Sequence, residues 1–192
     1  MTVKATACAT ALALLSPVLL SNAAAVTEDY THRPLVHIVM CTKGSGTAFR
    51  TGPTTMISVA HVTDNEGCKV AGQPFTVAND PGLDFSVITT PVKRGGAFRI
   101  NCDGFKVGEW YYAAGYAYGR PWQQTVTLRA IATDNGRGLA VLHGYPTVIP
   151  GMSGGPIMNA AGEVVGTVNR YTPWAPFSFS QSLSETSVCR KS

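Results

Sequence analysis

The sequence predicts an all-β chain, built as two small antiparallel barrels or one sandwich. Three observations carry that expectation. Beyond residue 34, short runs rich in Val, Ile, Thr, Phe and Tyr alternate with Gly, Pro, Asn and Asp. No stretch sustains a helical period over more than about three turns. A polar, turn-rich stretch near residues 91–104 divides the β-rich part into two halves, each with room for about six short strands once weak ones are counted.

Residues 1–25 stand apart from this pattern. Lys4, an apolar run from Ala5 to Leu20 and the small residues Ser21-Asn22-Ala23-Ala24-Ala25 read as a cleaved secretory signal. Ser16-Pro17 interrupts the run, which falls short of the roughly 20 apolar residues a spanning helix needs. No membrane association is therefore expected once the signal is removed. Residues 26–34 are polar, end at Pro34 and read as a loose N-terminal arm. The rest, 35–192, has the length of one compact two-lobed domain, with halves at roughly 35–95 and 105–192.

Strands are expected at 35–42, 46–50, 54–59, 84–90, 105–114, 123–132, 138–143, 156–159 and 163–170, with one helical turn at 60–63. The formal net charge is +4, and removing Lys4 with the signal lowers it by one. The basic residues are scattered singly, so no nucleic-acid groove is indicated. Of five cysteines, Cys8 leaves with the signal. The four that remain, Cys41, Cys68, Cys102 and Cys189, make two disulfides in an oxidising compartment, by any of three pairings. No two lie at the short spacing of a zinc knuckle, so no metal is expected.

The chemistry concentrates at Pro150-Gly151-Met152-Ser153-Gly154-Gly155-Pro156. A serine on a glycine-rich turn exposes its hydroxyl. Gly151 lets the backbone bring its own N–H and that of Ser153 to one spot, as an oxyanion hole requires. Gly154 and Gly155 read as clearing the approach of a substrate carbonyl. Such a serine needs a base within hydrogen-bond reach. His61, at the end of Ile57-Ser58-Val59-Ala60, is the best placed histidine; His143 is second, His37 lies within a strand and His32 in the arm. The base needs an acid on its other nitrogen. Asp84 heads an apolar strand, Asp84-Phe85-Ser86-Val87-Ile88, where a carboxylate is costly without a partner. Asp80 reads as a turn former and Asp64 as a loop residue.

Taken together, these residues resemble the chymotrypsin-like serine peptidases, and most closely the compact bacterial branch that includes the HtrA catalytic domain. The order His, Asp, Ser matches that family. So do Gly44-Ser45-Gly46-Thr47-Ala48-Phe49 ahead of the histidine, Ser58-Val59-Ala60-His61 around it, and Asp84-Phe85-Ser86-Val87-Ile88. Ser153-Gly154-Gly155-Pro156-Ile157-Met158-Asn159 followed by Gly162-Glu163-Val164-Val165-Gly166 is similar to the family's hairpin after the serine.

The resemblance spans residues 36–170 and implies two six-stranded antiparallel barrels with the site in the cleft between them. It implies a serine endopeptidase in which His61, Asp84 and Ser153 are catalytic and Gly151 and Ser153 supply the oxyanion hole. It implies no cofactor and a protein or peptide substrate; a monomer is expected, and the signal at residues 1–25 gives a secreted or periplasmic location. It places Thr147 at the base of the specificity pocket and Asn169, Arg170 and Tyr171 along the bound substrate. An Asp at the Thr147 position would select Lys or Arg, so trypsin-like specificity is not expected. It also implies Cys41–Cys68 around the histidine and Cys102–Cys189 holding the tail. Met152 stands where many relatives carry an Asp that pairs with a newly cut N-terminus, so no such activation switch is expected.

Three other readings compete. A catalytically inactive double-barrel binding protein would be expected to have lost part of the Ser, His and Asp set. A serine esterase usually carries its nucleophile between strand and helix, with histidine after serine. The aromatic cluster Trp110-Tyr111-Tyr112, Tyr116, Tyr118 and Trp122 would suit a carbohydrate face, or equally a packed strand with an exposed loop.

Overall fold

In the computed structural model the described residues are 35–190, except 92, 122, 135 and 136. The expected signal and arm, with His32 and Trp122, lie outside them. The described chain is nearly all β and forms two six-stranded antiparallel sheets.

The first sheet takes β1 (Val36–Cys41), β2 (Gly44–Arg50), β3 (Thr55–Ser58), β4 (Lys69–Val70), β5 (Thr76–Asn79) and β6 (Ser86–Thr89), in the order β4-β1-β2-β3-β6-β5. It is the half-barrel of the expected pair. Its two edge strands are short, β4 with two residues and β5 with four exposed ones, and no ladder joins them. Its core is Val39, Ala48, Met56, Val59, Val62, Val70 and Ile88. These lie on inward positions of period-two strands, at Val59 just before the helical turn α1 (Ala60–Thr63), and on α1 itself.

The second sheet is a closed barrel, β10-β11-β12-β9-β8-β7. Its strands are β7 (Trp110–Gly115), β8 (Gln124–Asp134), β9 (Leu139–His143), β10 (Pro156–Met158), β11 (Val164–Tyr171) and β12 (Phe177–Ser182). Along β8 the residues alternate, with Val126, Leu128 and Ala130 inside and Thr125, Thr127 and Arg129 outside. β12 was not among the expected strands. It alternates in the unexpected sense, with Ser178 and Ser180 buried and Phe179 exposed. The expected strand at 105–114 begins only at Trp110, because residues 105–109 turn through Gly108 at φ +90°. No helix among the described residues is long and apolar enough to cross a membrane.

Two disulfides brace these sheets, Cys41–Cys68 and Cys102–Cys189. The first closes the segment that carries α1, and its cysteines pack against the core that holds Val62. The second ties the linker to the C-terminal tail. That tail also reaches the first sheet, where the Ser187 N–H donates to Asp80 Oδ2 at 2.6 Å. Asp80 thus anchors the tail as well as turning the chain, since its carbonyl accepts from the Leu83 N–H.

The second bridge spans 87 residues, and opening so long a loop in a small β domain costs about 2–5 kcal/mol. Cys102→Ser/Cys189→Ser should therefore unfold at a clearly lower temperature than the parent. Thermal unfolding followed by circular dichroism measures this, and an unchanged midpoint would refute a stabilising role.

Candidate active site

The site lies where the two sheets meet. The first contributes His61 on α1 and Asp84 in the turn before β6. The second contributes Ser153, between the loop 144–152 and β10, and Asn169 on β11. Asp84 sits two residues before the observed strand rather than at its head.

Asp84 holds His61 with both oxygens. Oδ2 lies 2.7 Å from Nδ1 of the ring, and Oδ1 accepts the His61 backbone N–H at 3.0 Å. A carboxylate only accepts, so Nδ1 carries the hydrogen and Nε2 is left as the basic nitrogen. Burial alone would raise the Asp84 carboxyl. The hydrogen bonds from the His61 ring and backbone, the charge of His61 and a bond from Asn169 outweigh it and hold the group below its ordinary value. The Asn65 side chain caps α1 by donating to the carbonyls of His61 and Val62 at 2.8 and 3.1 Å. A chain of polar side chains backs the helix, from Thr63 through Ser86 and Asn79 to Asp64, with contacts of 2.6–2.8 Å.

The Asn169 side chain has a contact in the site that the sequence reading did not include. Its side chain is buried and faces Asp84. Nδ2 donates to Asp84 Oδ2 and to the Asp84 carbonyl, both at 3.1 Å, while Oδ1 accepts from Thr167 Oγ1 at 3.1 Å and Gln181 N at 3.0 Å. A register shift in the β11–β12 ladder between Val168 and Arg170 turns it inward. The one sign of this in the sequence is a lone amide ending the apolar run Val164–Val168.

The Ser153 hydroxyl donates to the main-chain oxygen of Asn169 at 3.1 Å. No hydrogen bond joins it to His61 among the described residues. Neither the Gly151 N–H nor the Ser153 N–H donates to an acceptor among the described residues. Gly154, at φ +84°, and Gly155 serve a purpose other than the expected clearance for substrate. A Cβ on Gly154 would run into the Thr47 carbonyl and Ser58 Oγ of the first sheet, and one on Gly155 into the Ala114 carbonyl of β7. These glycines let the Ser153 turn pack directly on both sheets.

Of the other expected pocket residues, Thr147 is half-buried, with Oγ1 enclosed and unpartnered among the described residues. Arg170 is exposed and Tyr171 is 39% exposed. His143 packs against Phe177, with ring centroids 5.5 Å apart and planes tilted by 54°. No group of three or more His, Cys, Asp or Glu among the described residues is arranged to hold a metal ion.

The two six-stranded antiparallel β units, one a closed barrel and one a half-barrel, make the fold of the double-barrel serine peptidases. The family model of the trypsin-like peptidase domain matches residues 18–166, and the chain belongs to that family. Curated relatives include two probable periplasmic serine endoproteases described as DegP-like. The one from Chlamydia pneumoniae is 33% identical over 114 residues, and the one from Chlamydia muridarum (strain MoPn / Nigg) 30% over 113. Each match covers 55% of this chain but only 22% of the relative, so the chain spans about a fifth of their length.

Among solved structures, the Rv3671c protease from M. tuberculosis in its active form aligns with a TM-score of 0.67 at 21% identity, covering 79% of this chain and 77% of that one. The serine endoprotease from Yersinia pestis aligns at 0.66 and 19%, covering 79% and 59%. At these identities the likeness is one of fold.

Proposed function

We propose that the protein is an exported serine endopeptidase that cleaves peptide bonds through an acyl-enzyme, with Ser153 as nucleophile, His61 as base and Asp84 as the acid that orients it. The observation that carries this reading is the two-point grip of Asp84 on His61, which leaves Nε2 free to accept a proton. The hydroxyl of Ser153 turns about a single bond, and in the proposed reaction it would leave Asn169 O for His61.

In the proposed reaction Ser153 Oγ attacks the peptide carbonyl as its proton passes to His61 Nε2. The negative charge that develops on the carbonyl oxygen is met by the Gly151 and Ser153 N–H groups, which donate to nothing else among the described residues. His61 then gives its proton to the departing amine and the acyl group stays on Ser153. Water attacks the ester, again deprotonated by His61, and the carboxylic acid leaves with Ser153 restored. Residues 169–171 of β11, beside Ser153, would pair with extended substrate, with Arg170 and Tyr171 flanking it and Thr147 in the specificity pocket.

The two disulfides, the signal read in residues 1–25 and the periplasmic relatives support export. A second reading, an inactive double-barrel binding protein, draws on the absence of a Ser153–His61 hydrogen bond and on solved relatives captured in inactive forms.

A fluorophosphonate probe separates the two readings, because only an activated serine is phosphonylated stoichiometrically. The purified, disulfide-intact protein should take up one label per chain at Ser153, and His61→Ala should take up none. A folded protein that stays unlabelled both with and without residues 26–34 would establish the binding-protein reading instead.

A further inference from the structure

Resting on the peptidase reading, we propose that Thr47 and the turn Tyr116–Gly119 are the positioning device that aims the Gly151 N–H at the reacting carbonyl. The nucleophile loop does not hold Gly151 by itself. Each of the two peptide groups flanking Gly151 has its carbonyl tied to a different element. The Pro150 oxygen accepts the Tyr118 N–H at 2.6 Å. The Gly151 oxygen accepts the Thr47 hydroxyl at 2.8 Å.

A trans peptide is planar, with its C=O and N–H pointing to opposite sides. Holding the Pro150 oxygen against Tyr118 therefore sends the Gly151 N–H the other way, out of the turn. Holding the Gly151 oxygen against Thr47 stops the following peptide from swinging round and carrying Gly151 with it.

The contact is close enough to require glycine. Gly151 sits at φ +93°, and a Cβ there would come within 2.7 Å of Tyr118 N and 3.1 Å of Gly119 N, and would meet the Tyr116 carbonyl. The turn has its own unusual backbone. Tyr118 is one of two non-glycine residues at positive φ among those described, at +51°, and Gly119 follows at +66°. Such a conformation persists where its surroundings fix it. Here the Gly119 and Arg120 N–H groups donate back to the Tyr116 and Ala117 carbonyls at 3.3 and 3.0 Å.

Thr47 links the parts. It is fully buried on β2. Its hydroxyl accepts the Tyr116 N–H at 3.0 Å while donating to Gly151, and its own N–H donates to the Ser153 carbonyl at 2.7 Å. One first-sheet residue thus fixes the turn, the oxyanion glycine and the nucleophile relative to each other. A valine fills the same space and removes the hydroxyl, leaving Tyr116 N–H and Gly151 O without their partner.

The test compares Thr47→Val, Thr47→Ser and Gly119→Ala with wild type, in the full chain. The readings are the fluorophosphonate labelling rate, kcat and KM on a cleaved peptide, and thermal unfolding. Thr47→Val should lower the labelling rate and kcat by about 10²–10³-fold, the size of one lost oxyanion donor, with KM within about twofold. Thr47→Ser, which keeps the hydroxyl, should restore both to within a few-fold. A general loosening of the fold would move KM as well and would not be rescued by serine.

Gly119→Ala lies on the turn away from the core, where a Cβ would sit 2.8 Å from Ser45 Oγ at a left-handed position. It should shift Tyr118 off Pro150 and lower kcat about tenfold, and it keeps the test open if Thr47→Val does not fold. A labelled wild type with both variants folded and labelling at the parent rate would overturn the positioning role alone. An unlabelled wild type would overturn the peptidase reading, and this one with it.

Discussion

Ser153→Ala should reduce peptide hydrolysis by about 10⁴–10⁶-fold in kcat while leaving the protein folded. The two halves of this expectation have separate causes. Catalytically, Oγ is the atom that would form the ester. Structurally, Oγ makes a single hydrogen bond among the described residues, to Asn169 O, and a bond of that kind contributes only about 0.5–1.5 kcal/mol. The carbonyl and glycine contacts that seat the turn belong to the backbone and survive the substitution.

His61→Ala should lose about as much activity as Ser153→Ala. The double variant should be no worse than either single one, because the two groups act in one step. Residual turnover within tenfold of wild type in Ser153→Ala would show that hydrolysis, if present, uses another nucleophile. Additive losses in the double variant would show that His61 and Ser153 do not work as a unit.

How much of this was legible before the structure depended on the range of each interaction. The nucleophile turn, the helical turn at 60–63 and the Asp84 segment are local patterns. Each announces itself through neighbouring glycines or through a polar residue in an apolar run. The longer strands were readable for the same reason, since β8 alternates from Thr125 to Ile131. What escaped was either short or reversed. β4 and β5 are two and four residues long, and β5 buries nothing, so no periodicity marks it. β12 hides serines and shows Phe179, against the polarity by which strands are recognised.

In the site, Asn169 and Thr47 act across 85 and 104 residues of sequence, on Asp84 and Gly151 respectively. The lone amide after Val164–Val168 sets Asn169 apart, but nothing local in Gly-Thr-Val-Asn or Gly-Ser-Gly-Thr names the distant partner. The resemblance placed Asn169 on the substrate side because it followed the path of the strand. The bulge at 168–170, which points the side chain the other way, is a three-dimensional event.

Asn169 also sharpens the second large expectation, that Asp84→Asn lowers kcat by about 10⁴-fold at neutral pH. The native carboxylate accepts three side-chain and backbone donors at once, His61 Nδ1, His61 N and Asn169 Nδ2. An amide of the same shape has one oxygen and one NH₂. If the oxygen stays on the His61 N–H, the NH₂ faces both His61 Nδ1 and the Asn169 NH₂. The histidine is then driven to the tautomer with its hydrogen on Nε2, which cannot take a proton from Ser153. The Asn169 amide is left opposing a donor. Activity is lost through the wrong tautomer while the fold remains.

The same carboxylate should show itself in stability. Its pKa is lower in the folded chain than in the unfolded one, because the His61 and Asn169 hydrogen bonds overcome the effect of burial. A depressed carboxylate contributes stability above the unfolded value, near pH 4, and that contribution fades as pH falls through the folded value. The gap in unfolding free energy between wild type and Asp84→Asn should therefore be full at neutral pH and shrink below about pH 4. Urea titrations at several pH values measure it. A gap that stays constant to the acid limit would mean that Asp84 is not held as a charged partner of His61, and a variant keeping more than a tenth of the parent kcat would remove it from the mechanism.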